Sequence, residues 1–319
     1  MEINQSSIFV DLHNDYLEER VHHPQHRLYA NPKHHTDLGR LKEGGVNVQF
    51  FVIWTRPEEH EDHFSRAMEL IDMLEADVAE CNGEIVFART YNDIISAINK
   101  KKIAAVLSLE GGQLIGNSVD NIDAFYKRGM RYLTLAWNYG TDWCGGAKDD
   151  DTKGLTSFGK EVIDRLVKLN IMIDVSHVNR KSLQDILDYT DVTLIATHSG
   201  AYHVCNHNRN LCDEHILEIA RRGGVIGSVF YPYFLNNTDT ATIADVINHI
   251  NYIRNLTGSV DHIAIGSDFD GIDITPQGLE NVSKFPNLVK ALYQEGYSAD
   301  EVSKIVGANA LRVFKKICG

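Results

Sequence analysis

The chain has 319 residues, 43% hydrophobic and 24% charged, so it can bury a large core without disulfide or metal staples. Its 44 acidic against 31 basic side chains give a formal charge of −13, which sets nucleic acid and anionic membrane surfaces aside as main partners. The five cysteines (Cys81, Cys144, Cys205, Cys212 and Cys318) are odd in number and form no C-x-x-C pair, a pattern of free thiols in a reducing compartment.

The opening MEINQSSIFVDLHND lacks the basic and apolar regions of a signal peptide. No run approaches the roughly 18 apolar residues of a membrane span, and the closing FKKICG has no hydrophobic tail for a lipid anchor. A cytoplasmic protein with no membrane partner is the expectation; a homodimer is compatible with the sequence.

Apolar, β-branched runs at 8–12, 46–53, 103–109, 132–137, 171–175, 192–197, 225–231 and 262–266 predict eight strands. Segments of helical period lie between them at 38–43, 58–80, 121–128, 158–169, 181–188, 214–221 and 243–255. A unit at 84–101, with a small strand at 85–88, is an insertion before the third strand. Helices at 283–294 and 299–316 follow the eighth, the second with Ser298 as N-cap and acidic residues in its first turn. Strands alternating with helices predict an α/β fold with a parallel sheet covered on both faces. The count of eight favours a (β/α)8 TIM-type barrel, with 1–319 as a single domain.

Polar residues collect where the predicted strands end. The first ends in Asp11-Leu12-His13-Asn14-Asp15, the third in Leu109-Glu110-Gly111-Gly112, the fifth in Asp174-Val175-Ser176-His177, the sixth in Thr197-His198-Ser199 and the eighth in Ser267-Asp268-Phe269-Asp270. In a barrel these tips converge on the face that carries active sites. His-x-Asp on an extended backbone points both side chains the same way, so His13 and Asp15 can grip one ion. Glu110, His177 and His198 add a carboxylate and two imidazoles. A set of imidazoles and carboxylates without thiolate suits hydrolytic zinc, and five ligands exceed what one four-coordinate catalytic zinc takes. A carboxylate-bridged pair fits. The cluster His22, His23, His26, His34 and His35, by contrast, reads as solvated loop.

The strings DLHND (11–15), LEGG (109–112), RYLTL (131–135), DVSHV (174–178), HSGAYHVCNHNRN (198–210), GSDFDG (266–271) and NALRVF (309–314) resemble the renal (membrane) dipeptidase family, peptidase family M19, over nearly the whole chain. The resemblance implies two Zn2+ per chain, one on His13 and Asp15, the other on His177 and His198, with Glu110 bridging. It implies that Arg209 takes the carboxylate of a small dipeptide substrate, that Tyr231 contacts substrate and that Asp268 shuttles the proton; Asp270 is read as structural support. The reaction implied is direct hydrolysis, in which a bridging metal-bound hydroxide attacks the scissile carbonyl, including that of dipeptides with a C-terminal D-residue.

One departure stands out. Family members carry a histidine at the oxyanion position right after the RYLTLT string; here RYLTLAWN has Trp137 and Asn138. Asn138 is able to donate a hydrogen bond there, whereas Trp137 offers an apolar wall. The alternative kept open is another binuclear amidohydrolase, acting on β-lactams, amides or lactones. A non-catalytic zinc barrel is a further reading, set against the presence of all five ligands and Asp268. A Rossmann nucleotide binder is excluded by the lack of G-x-G-x-x-G after the first strand.

Overall fold

A computed structural model describes residues 7–31, 33–58 and 61–319. Its strands are β1 (Phe9–Asn14), β2 (Val46–Ile53), β3 (Ile85–Phe87), β4 (Ile103–Glu110), β5 (Tyr132–Thr134), β6 (Met172–Asp174), β7 (Leu194–Ser199), β8 (Val225–Ser228) and β9 (Ile263–Ile265). Eight of these pair in parallel in the order β1-β2-β4-β5-β6-β7-β8-β9, and β3 adds to β4 from the side. The last strand meets the first at the tips, where Asp15 N donates to Phe269 O at 2.9 Å and Asn14 bridges Phe269. The result is a nearly closed (β/α)8 barrel with its C-terminal strand ends gathered around one mouth.

Alternation along the strands sorts two cores. Val10, Leu12, Val48, Phe50, Val52, Val106, Tyr132 and Ile195 fill the barrel interior, and Leu311 and Phe314 of the last helix (Asn309–Cys318) close its lower end. A larger cluster, including Phe51, Leu74, Leu107, Ile163 and Ile219, joins the barrel wall to the surrounding helices. Two glycines let the tips crowd together: a Cβ on Gly227 or Gly266 would lie 1.8 or 1.7 Å from Thr197 O. No other residue fits there.

The elements follow the sequence reading, with shifts that have local causes. The helix His63–Glu80 begins at Asp62, whose side chain accepts from Ser65 N; positions 59 and 60 of the predicted 58–80 lie outside the described residues. The predicted helix 299–316 is interrupted by a π-turn, Lys304–Ala308, where Gly307 lies against Ile8 and a Cβ would sit 2.0 Å from Ile8 O. Its Ser298 cap is a full capping box with Glu301. An unanticipated short helix, Tyr16–His22, follows β1. It is held down because Tyr16 OH, Arg20 Nε and Arg27 Nη1 all donate to the buried Asp77 carboxylate at 2.7, 2.8 and 2.8 Å. Among the described residues no helix is long and apolar enough to cross a membrane.

The histidine-rich segment is only in part the solvated loop expected: His22 is exposed and His23 half-exposed, while His34 and His35 are partly covered. His26 is only 4% exposed, and its ring packs with those of His23 and His34. The Asp77 anchor draws the segment onto the barrel, which composition alone does not reveal.

Candidate functional site

Three tips deliver their side chains through turns, not extended strand. Asp15 stands at the N-cap of Tyr16–His22 with φ −99° and ψ 34°, yet its carboxylate makes no capping bond and turns back to His13 instead. The two side chains therefore meet as anticipated, but through a turn. His177 and Asp268 have φ of +67° and +64°, a left-handed backbone uncommon for residues with a side chain. His13, Glu110 and His198 sit on β1, β4 and β7 themselves. Gly271 permits the close approach of two carboxylates: a Cβ there would be 2.4 Å from Asp15 Oδ2 and 3.0 Å from Asp268 Oδ1.

The five sequence-assigned ligands and Asp268 converge. His13 Nε2 is 3.4 Å from Asp15 Oδ2, 3.7 Å from Glu110 Oε1 and 3.9 Å from Asp268 Oδ1. Glu110 Oε1 is also 2.9 Å from His177 Nε2 and 3.3 Å from His198 Nε2. Two donor triads share Glu110, namely His13–Asp15–Glu110 and Glu110–His177–His198; a third joins His13, His198 and Asp268.

Supporting hydrogen bonds fix which nitrogen of each imidazole faces the centre. Thr197 Oγ1 gives its proton to Asp174 Oδ2 at 2.6 Å, so it accepts from His198 Nδ1 at 2.9 Å and His13 Nδ1 at 3.2 Å. Tyr132 OH donates to Leu12 O at 3.0 Å and accepts from His13 Nδ1 at 2.9 Å. Asn138 Oδ1 accepts from His177 Nδ1 at 3.2 Å. In their neutral form all three rings thus turn a bare Nε2 inward. His177 Nε2 and His198 Nε2 lie 2.9 Å apart with no proton between them in this tautomeric state. His13 Nε2 and Glu110 Oε1 are buried without any hydrogen-bond partner. Lone pairs and anionic oxygens facing one another in a buried cluster call for cations, and the donor set fits zinc.

Electrostatics favour the neutral imidazole at His198 and His177 and a proton at His13. Burial, then the His13 and Arg209 charges, keep the His198 imidazole well below its ordinary value, and burial with Arg209 pushes His177 down to about 4. Burial disfavours protonation of His13, but Asp15 and Glu110 hold its imidazole well above the usual range. Burial also opposes ionisation of Glu110, which His13 and His177 nevertheless keep well below the carboxylate range. Asp15 is raised to about 6 and Asp268 well above its usual value, both chiefly by burial.

A cavity of about 470 Å³ opens above this cluster. Asp15, Glu110, His177 and Asp268 form its polar floor, and Trp54, Trp137, Tyr231 and Phe234 its aromatic walls, with Asn138 beside them. Its size is that of a small-molecule site. Trp137 packs on Trp54 with ring centres 4.8 Å apart, so the residue at the departure is a wall. Tyr231 follows the end of β8 and packs edge-on against Phe234 at 4.9 Å.

Arg209 is buried and set beside the Phe234 wall, its guanidinium carbon 5.2 Å from that ring centre. Nη2 donates to His198 O at 3.2 Å, while Nε is buried without a partner. Among the described residues no carboxylate stands within ion-pair distance of it. Burial lowers it to about 10, so it stays charged at neutral pH. Asp270, read as structural, accepts from His35 N at 2.7 Å.

The sequence reading did not assign the residues that orient the candidate ligands: Thr197, Asp174, Tyr132 and Thr134, whose Oγ1 also donates to Asp174 Oδ2 at 2.6 Å. Asp174 and Thr197 each lie within three positions of an assigned histidine, and an Asp or Thr so close to a candidate ligand is the available signal.

A family model for the membrane dipeptidases (peptidase family M19) matches residues 1–318. The chain is 32% identical over 343 residues to an uncharacterized dipeptidase of Schizosaccharomyces pombe, spanning 99% of this chain and 82% of that protein. It is 31% identical over 295 residues to dipeptidase tcpJ of Claviceps purpurea, spanning 89% and 69%. A metallopeptidase from Rhodobacter sphaeroides, solved with a phosphinate mimic of the dipeptide L-Ala-D-Ala, superposes with a TM-score of 0.90 at 26% identity over 98% of this chain and 100% of that one.

Proposed function

The chain is a metallopeptidase that belongs to the membrane dipeptidase family, and we propose that it is a binuclear zinc dipeptidase cutting the peptide bond of small dipeptides. The observation that carries this reading is the sharing of Glu110 by two donor triads whose three imidazoles turn bare nitrogens inward. His13 and Asp15 would hold one ion, His177 and His198 the other, and Glu110 both. Zinc ions held there supply a water acidified towards neutral pH and polarise the scissile carbonyl.

The chain's own groups do the rest. Asp268, with Oδ1 3.9 Å from His13 Nε2, accepts the proton of the attacking water and returns it to the leaving amine. Arg209, a buried cation without an ion-pair partner among the described residues, takes the substrate's C-terminal carboxylate and so limits length to dipeptides. Asn138 acts in two ways: its Oδ1 orients His177, and its amide NH2 is the remaining donor for the developing oxyanion. Tyr231 and Trp137 exclude water around the side chains. We assign the whole of 1–319 to one catalytic domain, and the five free cysteines support a reducing, cytoplasmic setting.

The test is a substrate panel offered to the zinc-loaded protein: dipeptides, their C-terminal amides, tripeptides, and L-Xaa-D-Xaa members chosen because the Rhodobacter sphaeroides enzyme holds a mimic of one. Cleavage confined to free-acid dipeptides is expected. Equal cleavage of amides and acids would overturn the carboxylate reading and favour the broader amide, lactam or lactone hydrolase.

A further inference from the structure

Outside the barrel mouth, a second group of metal-binding side chains gathers on the segment that follows β1. Glu19 and His23 lie one helical turn apart at the end of Tyr16–His22, where His23 N donates to Glu19 O at 2.9 Å. A tight turn, His26 N to His23 O at 2.8 Å, brings the next imidazole back over them, and His34 returns from the far side of the loop. Ring centres of His23, His26 and His34 are separated by 4.9, 5.1 and 4.6 Å. Glu19 Oε2 lies 2.8 Å from His34 Nδ1 and 3.6 Å from His23 Nε2. Donor atoms of Glu19, His26 and His34 all fall within 4.8 Å of one another.

The polar atoms here are poorly satisfied. His26 Nδ1, His34 Nε2 and Glu19 Oε2 are each buried with no hydrogen-bond partner. Three such atoms in one cluster are costly unless a further group takes them up, and Glu19 Oε2 has only the neighbouring imidazoles beside it. Burial, with His23 and Lys33, keeps His26 below its ordinary value, and burial with the neighbouring imidazoles holds His34 down at about 4, which favours the neutral form that binds metal. Imidazoles with one carboxylate and no thiolate match a divalent zinc ion.

We propose that Glu19, His26 and His34, with His23 as fourth donor, form a separate structural zinc site. Four protein donors leave no open position, as in structural and unlike catalytic sites. The ion would pin the loop that buttresses the mouth. Next along the chain, His35 N donates to Asp270 Oδ1 at 2.7 Å and Thr36 Oγ1 accepts from Asn14 Nδ2 at 2.7 Å, and those partners flank Asp268, His13 and Asp15.

The test titrates zinc alone into the metal-stripped full chain and counts bound equivalents by elemental analysis. Parent protein is expected to hold one equivalent more than His26→Ala and than His34→Gln. Zinc should raise the parent's melting temperature by more than that of either variant. At saturating zinc both variants should keep dipeptide hydrolysis within a few-fold of the parent. His34→Gln, at the more exposed of the two positions, decides the matter if His26→Ala does not fold. A folded His34→Gln chain that binds as many equivalents as the parent overturns the site. The readout is a difference between parent and variant, so it stands whether the barrel mouth takes two ions, one or none.

Discussion

Thr197 Oγ1 donates to Asp174 Oδ2 at 2.6 Å, and that bond decides which nitrogen of two histidines faces the cavity. With its only proton committed, the hydroxyl accepts from His198 Nδ1 and His13 Nδ1, leaving both Nε2 atoms bare. Thr197→Val keeps the shape and removes the lock. Zinc affinity should fall by about 10–100-fold, the usual scale for groups that orient metal ligands. Thr197→Ser should restore it. Zinc titration against a chelator of known affinity measures this, and an unchanged affinity in the valine variant would remove the lock from the account.

Among the described residues no carboxylate stands within ion-pair distance of Arg209, and the proposed reading gives that place to the substrate's carboxylate. Arg209→Met should lower kcat/KM for free-acid dipeptides by roughly 10–100-fold, the loss of a charge-assisted contact of about 1.5–3 kcal/mol. Activity on C-terminally amidated dipeptides should hardly change. Equal losses on both substrates would mean that Arg209 supports the fold and not the carboxylate.

Gly271 and Gly266 make opposite kinds of close approach. A methyl on Gly271 meets carboxylate oxygens, Asp15 Oδ2 at 2.4 Å and Asp268 Oδ1 at 3.0 Å, which are able to swing away. Gly271→Ala should therefore fold and lose zinc affinity and turnover. A methyl on Gly266 meets the Thr197 carbonyl at 1.7 Å, and a strand backbone does not yield cheaply. Gly266→Ala should cost about 1–3 kcal/mol of stability or more, the scale of an overpacked core. Paired thermal melts and zinc titrations check the contrast; a stable, zinc-replete Gly271→Ala enzyme with parental turnover would contradict it.

Asp268 separates proton transfer from metal binding. Burial, with Asp15 and Glu110 beside it, raises its carboxyl well above the ordinary value, although His13 and Arg209 pull the other way. As a base it must be ionised, so kcat/KM should fall as pH drops through that raised value. Asp268→Asn should retain zinc and KM, lose about 10²–10⁴-fold in kcat, and flatten the acidic limb. Retention of more than a tenth of parental kcat in a zinc-replete variant would send the proton by another route.

The barrel and the convergence of the candidate ligands were legible because both depend on short-range pattern. A buried parallel strand is a continuous apolar run, and a polar residue that ends one stands out, as Glu110 does after Ile103–Leu109. What was not legible depends on partners distant in sequence. The predicted strand 132–137 stops at Thr134, after which the chain turns to bring Asn138 against His177. Asp174 meets Thr197 across 23 positions and Tyr132 meets His13 across 119, contacts that no local period encodes. Of the histidines at 22–35, His22 is exposed as expected, but His26 is buried, because polar composition hides burial imposed by Tyr16, Arg20 and Arg27 on Asp77.

Diffraction from zinc-loaded crystals, with anomalous data collected at the zinc edge, tests the central claim most directly. Two anomalous peaks should flank the Glu110 carboxylate, one against His13 and Asp15 and one against His177 and His198, apart from any peak near Glu19. A single peak at Glu110, or none, in crystals of protein that hydrolyses dipeptides would contradict the bridged pair.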